Sequence, residues 1–121
     1  MTDFSTYSPG LHALCRFEQI AAEKLTQLDA FHGFTQDLCA DLGLEIVGAS
    51  SFVFENQSYT ASYCLKESHI CIHTWPEFQL LTLDVYLCNF LQDNSEKVRT
   101  VVEKYRTFFA ANEVSISEVY R

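Results

Sequence analysis

The chain has 121 residues, 48% of them hydrophobic and 14% aromatic, with a formal net charge of -8 and a pI of about 4.8. That length suits one domain with a real core, and that composition excludes a disordered chain. The acidic balance opposes nucleic acid or an anionic membrane surface as a partner, and it favours the approach of a cation.

Residues 1–10 contain no basic run leading into an apolar core, so no secretory leader is expected. No apolar window reaches the length that spans a bilayer. The five cysteines, Cys15, Cys39, Cys64, Cys71 and Cys88, are an odd number without a Cys-x-x-Cys pair. They are expected as reduced thiols in a cytoplasm, most of them acting as small buried hydrophobes.

Pro9-Gly10 ends a polar leader, and His12 to Ile20 reads as a first strand. Glu23 to Leu42 predicts a helix, because Leu25, Leu28, Phe31, Phe34, Leu38 and Leu42 recur at spacings of three and four. Gly43 is its expected C-terminal stop. Leu44 to Phe54 and Tyr59 to Lys66 read as two strands around the polar turn 55–58. Ser68 to Thr74 and Leu80 to Cys88 form a second pair around Trp75-Pro76-Glu77. In the latter strand Leu81, Leu83, Val85 and Leu87 should face one way, and Thr82, Asp84, Tyr86 and Cys88 the other. Asp93-Asn94-Ser95 offers caps for a helix whose apolar stripe is Val98, Val101, Val102, Tyr105, Phe108 and Phe109. Val114 to Tyr120 is the expected last strand. The order β-α-β-β-β-β-α-β predicts an α+β fold: a two-layer α/β sandwich, an antiparallel sheet with helices packed on one face.

The stretch from Lys66 to Glu77 holds most of the chemistry. On a strand, His69, Cys71 and His73 would alternate onto one face, where three ligands and a water could make a catalytic zinc site. No second motif supports that reading, and a half-buried strand with two hydrogen-bonded histidines is plainer. The run Glu67-Ser68-His69-x-x-x-His73-Thr74-Trp75-Pro76-Glu77 resembles the self-processing site of the bacterial pyruvoyl-dependent S-adenosylmethionine decarboxylase proenzymes. The likeness continues at matching spacing back to Phe54 and forward to Cys88. A contiguous match of this length, with Trp and Pro inside it, is specific.

The resemblance implies a single domain over 1–121, cut between Glu67 and Ser68 into chains 1–67 and 68–121. The Ser68 hydroxyl would attack the Glu67 carbonyl, and β-elimination of the ester would leave Ser68 as a pyruvoyl cofactor. His73 matches the histidine that assists processing, and Thr60 stands where a serine usually helps it. Cys88 matches the general acid of decarboxylation. Phe54 matches the aromatic that stacks on adenine, Glu77 the carboxylate that holds the ribose hydroxyls, and Ile70 a backbone contact to the base. The implied reaction converts S-adenosylmethionine to its decarboxylated form, the aminopropyl donor of polyamine (spermidine) synthesis. A homodimer of cleaved protomers is implied, with no metal, no nucleic acid and no membrane.

The chemistry has its own logic. Decarboxylating an α-amino acid needs an electron sink that no ordinary side chain provides, and a pyruvoyl carbonyl can take the substrate amine as a Schiff base. Serine is the required precursor because its β-oxygen can attack and then leave. Histidine suits the base role and a protonated thiol the later proton transfer. In isolation Phe54 would read as core, Glu77 as a solvated turn carboxylate and Cys88 as an inert thiol. The chain departs from the family in having Thr60 for serine, Asn89-Phe90 where glycine usually follows the cysteine, and Arg16 where an aspartate is typical. It also lacks the glycines that commonly flank the third strand. These departures bear on the substrate more than on self-cleavage. The rivals are a pyruvoyl-dependent decarboxylase of ornithine or arginine, and a non-cleaving binding module of the same fold.

Overall fold

The computed structural model describes residues 7–121, so most of the leader 1–10 lies outside the described residues. Six strands form one sheet: β1 (Leu11–Glu18), β2 (Ile46–Val53), β3 (Tyr59–Leu65), β4 (Ser68–Trp75), β5 (Leu80–Leu87) and β6 (Glu113–Tyr120). Their order is β2-β3-β4-β5-β1-β6, and every neighbouring pair is antiparallel. Two helices, α1 (Leu28–Asp41) and α2 (Ser95–Phe109), complete the α+β sandwich.

Period-two alternation decides which side of the sheet the helices take. Leu81, Leu83, Val85 and Leu87 of β5 are buried, as are Ile70 and Ile72 of β4 and Tyr59, Ala61, Tyr63 and Leu65 of β3. From α2 come Val98, Val101, Val102, Tyr105 and Phe109, all buried; Phe108, the sixth residue of the expected stripe, is half-buried. Phe31 of α1 sits among the rings of Tyr59, Tyr63, Tyr105 and Phe109, at centroid distances of 5.3–6.0 Å. Two tyrosine hydroxyls are paired where the helices meet the sheet, Tyr105 with Thr35 at 2.8 Å and Tyr63 with His32 at 3.0 Å, whereas the buried Tyr59 hydroxyl has no partner among the described residues.

The helix expected over Glu23 to Leu42 is in fact two pieces, a short 3-10 turn (Ala22–Leu25) and α1. The break has a tertiary cause. A continuous helix would give the Leu25 carbonyl to the Asp29 N–H, but the Thr74 hydroxyl donates to it instead at 2.9 Å. Gly43 does stop α1. It takes φ +70° while the Leu44 N–H reaches back to the Cys39 carbonyl, the Schellman arrangement. At α2 the capping acceptor is the Asp93 carboxylate, which takes the Ser95 N–H at 2.9 Å; the Asn94 side chain instead donates to the Cys88 carbonyl. The Ser95 hydroxyl first, and then the Ser95 N–H, lower the pKa of the Asp93 carboxyl.

Among the described residues no helix packs on the other sheet face. Leu14, Phe52, Phe54, Trp75 and Val119 are exposed there or at its rim.

Candidate active site

The proposed site residues fall at two ends of the sheet. At the first end a two-residue link, Lys66-Glu67, joins β3 to β4, with Leu65 paired to Ser68. Glu67 takes φ +58°, the left-handed region, at a cost of about 1 kcal/mol for a residue with a Cβ. Gln19, Gln57, Gln79 and Ala110 do the same at other turns, so strain alone does not mark the position. What marks it is the company of Ser68. The Ser68 Oγ accepts the Cys88 N–H at 3.1 Å, and the Cys88 Sγ lies 3.6 Å from Glu67 Oε2, within reach of a thiol hydrogen bond. These contacts follow from the β4–β5 register, in which His69 faces Tyr86 and so brings the start of β4 to the end of β5.

Cys88 leads into a loop whose base is pinned. Asn89, buried, donates to the Pro9 carbonyl at 3.0 Å and accepts the Asn94 N–H at 2.8 Å. Gly10 lies under this corner, where a Cβ would come within 2.4 Å of the Leu87 carbonyl oxygen. Only glycine allows that approach.

At the other end of β4, Phe54, Asn56, Ser58, Thr60, His73, Thr74, Trp75 and Glu77 line a groove of about 360 Å³. The Thr60 hydroxyl is 2.8 Å from His73 Nδ1, directly across the β3–β4 ladder. Asn56 donates to Glu77 Oε2 at 2.9 Å, and its own oxygen accepts from Ser58. Thr74, buried, ties this end to the 3-10 turn and to β3, accepting the Tyr59 N–H at 2.9 Å. Phe54, His73 and Glu77 are all exposed.

Within one chain these two groups do not meet. Five residues of extended strand separate Ser68 from His73, roughly 16 Å at about 3.3 Å per residue. A proton-transfer pair must come within about 3 Å. The sequence spacing carried that information, since five residues on a strand cannot be neighbours. Ile70 is also out of the groove: its side chain is in the core, and its backbone is flanked by Tyr63 and Val85. Asn56, which orients Glu77, had no signal beyond its place in a polar turn. His69, Cys71 and His73 do share the helix-free face, but among the described residues no group of three His, Cys, Asp or Glu is arranged to hold a metal ion.

Next to the first end, His12, His69 and Tyr86 pack ring to ring at 5.3–5.7 Å on adjacent strands. Burial lowers the pKa of His12 from its ordinary value, opposed by Asp84 at 4.0 Å and reinforced by His69 and Arg121. Burial pushes the Cys15 thiol up to about 12 and raises Cys39, as befits small core residues, but these are two of the five cysteines rather than most: Cys64 is exposed, and Cys71 and Cys88 are half-buried.

The sequence model of the S-adenosylmethionine decarboxylase family matches residues 11–121. The chain belongs to that family. Among its relatives, an S-adenosylmethionine decarboxylase proenzyme of Symbiobacterium thermophilum is 33% identical over 90 residues, 74% of this chain and 67% of that protein. One of Aquifex aeolicus is also 33% identical, over 79 residues that cover 65% of this chain and 58% of that protein. The crystal structure of the adenosylmethionine decarboxylase of Aquifex aeolicus superimposes with a TM-score of 0.83 at 23% identity, covering 96% of this chain and 92% of that one. The α+β sandwich expected from element order is therefore the fold of that enzyme. Among the described residues no helix of this decarboxylase-family chain is long and apolar enough to cross a membrane.

Proposed function

We propose that the chain is made as a proenzyme, cuts itself between Glu67 and Ser68, and as a homodimer of cut protomers decarboxylates S-adenosylmethionine. The observation that carries this is the meeting of Ser68, Glu67 and Cys88 at one sheet end, in a family whose relatives are named proenzymes.

In processing, the Ser68 Oγ attacks the Glu67 carbonyl; a C–O bond forms as the C–N bond breaks. A base then takes the Ser68 α-proton, and the Glu67 carboxylate leaves with the Cβ–O electrons. Uptake of water and loss of ammonia convert the remainder of Ser68 to a pyruvoyl group. Cutting also releases the left-handed strain at Glu67. The halves stay locked together: of the five strand pairings, β3–β4, β5–β1 and β1–β6 join residues 1–67 to residues 68–121.

The residues fit the cofactor's needs. Ser68 is half-buried at a sheet end, beside a thiol and with its hydroxyl held by a backbone N–H. The pyruvoyl group supplies the electron sink for loss of carbon dioxide. Cys88 returns a proton to the substrate α-carbon. Phe54 stacks on the adenine, and Glu77, oriented by Asn56, accepts from the ribose hydroxyls. Ornithine or arginine would leave that end of the groove without a base or a ribose to hold.

The base for Ser68 is His73 of the partner subunit, with Thr60 on its Nδ1. An isologous two-fold contact between helix-free faces sets the Ser68 end of each protomer against the His73 end of its mate. The exposed Leu14, Phe52, Trp75 and Val119 are consistent with that face being covered. The product would serve as aminopropyl donor in spermidine synthesis in the cytoplasm. Intact mass should show fragments 1–67 and 68–121, with Ser68→Ala remaining whole, and carboxyl-labelled S-adenosylmethionine should release labelled carbon dioxide. Wild type that stays uncut after long incubation sinks the reading.

A further inference from the structure

The loop after Cys88 combines a fixed base with an apolar tip. Its base is held by six side-chain hydrogen bonds: Asn89 to the Pro9 carbonyl and to Asp93, Asn94 N–H to Asn89, Asn94 to the Cys88 carbonyl, Gln92 to Asn94, and Ser95 N–H to Asp93. Its tip is Phe90, 74% exposed, and Leu91, 87% exposed, the two most exposed large hydrophobics among the described residues. Exposing two such side chains costs solubility, and fixing the base prevents the tip from folding back onto the core. Two residues of chain reach at most about 7 Å, so Phe90 cannot lie far from Cys88.

We propose that Phe90 and Leu91 form an apolar cap over the reacting end of the substrate, a specificity element particular to this chain. The inference rests on the function proposed above. Cys88 must deliver its proton to a carbon next to a departing carboxylate, and bulk water there would compete for both. The cap closes the side of the site that Ser68, Glu67 and Cys88 leave open, with the partner's Phe54 groove beyond it. Its chemistry selects a weakly hydrated sulfonium bearing a methyl group over the strongly hydrated terminal ammonium of a diamino acid.

Phe90→Ser, Leu91→Ser and the double variant lie on an exposed tip, so folding should be unaffected. Self-cleavage by intact mass and the dimer by sedimentation should match wild type. In the double variant kcat/KM for S-adenosylmethionine should fall about tenfold or more, and Phe90→Leu should recover most of it. In a Ser68→Ala background, where no turnover occurs, the calorimetric affinity for S-adenosylmethionine should fall in parallel. Unchanged kcat/KM and affinity would overturn the cap. So would dissociation of the dimer with wild-type kcat/KM in the dimers that remain, since the tip would then be an intersubunit contact. Failure of the function itself is seen separately, as wild type that neither cuts nor turns over, and it would overturn both.

Discussion

Two variants, one that cuts itself slowly and one that cannot cut, should restore cleavage when combined. His73→Ala keeps Ser68 but loses the imidazole; Ser68→Ala keeps the imidazole but has nothing to cut. In one chain Ser68 and His73 lie roughly 16 Å apart along β4, so an intact pair must come from two protomers. Loss of the base should slow cleavage of His73→Ala alone by about 10²-fold or more. When the variants are co-expressed in equal amounts and pair at random, about half of the His73→Ala chains acquire a Ser68→Ala partner. Each such chain presents its own Ser68 to an intact His73. About half of the His73→Ala chains should therefore appear as fragments 1–67 and 68–121, while every Ser68→Ala chain stays whole. The two variants differ in mass, so intact mass spectrometry reads both outcomes from one sample, and native mass spectrometry counts the mixed dimers. Mixed dimers without cleavage would refute the shared site. Wild-type cleavage by His73→Ala alone would remove His73 from processing altogether.

Cys88→Ala should still cut at Glu67-Ser68, yet its decarboxylation should fall by about 10²-fold or more, with faster inactivation during turnover; durable wild-type turnover would place the proton donor elsewhere. Gly10→Ala would press a Cβ to within 2.4 Å of the Leu87 carbonyl oxygen and 3.0 Å of the Cys88 Cα. The strand ends must part, which should cost about 1–3 kcal/mol and lower Tm by about 5 °C or more in calorimetry; an unchanged Tm would mean the corner is looser than its geometry. For His12 the sign follows from its lowered pKa: the unfolded chain takes up the proton first, near pH 6.5, so folding loses stability as pH falls below that value. The urea midpoint of His12→Phe should therefore rise relative to that of wild type on going from pH 7.5 to 5.5. A gap that does not move with pH would contradict it.

Much of the fold was legible because its patterns are local. Leu81, Leu83, Val85 and Leu87 alternate as a half-buried strand must, and the α2 stripe repeats at helical spacing whatever lies opposite. Gly43 announced the end of α1 because few other residues take its φ. The run from Glu67 to Glu77 pointed to the family through its contiguous resemblance, and the family model matches residues 11–121. Tertiary structure decided the rest. The helix predicted through residues 23–42 broke because a hydroxyl on β4, far along the chain, captured the Leu25 carbonyl. β1 entered the sheet between β5 and β6, a placement that no local pattern encodes. The contacts of the motif itself were settled the same way. Cys88, twenty residues from Ser68, touches it because antiparallel pairing returns the chain to its start, whereas His73, only five residues away, is carried to the far end of the strand. An extended chain advances about 3.3 Å with each residue, so neighbours in this motif are separated in space, and strand pairing decides which of them meet within one chain.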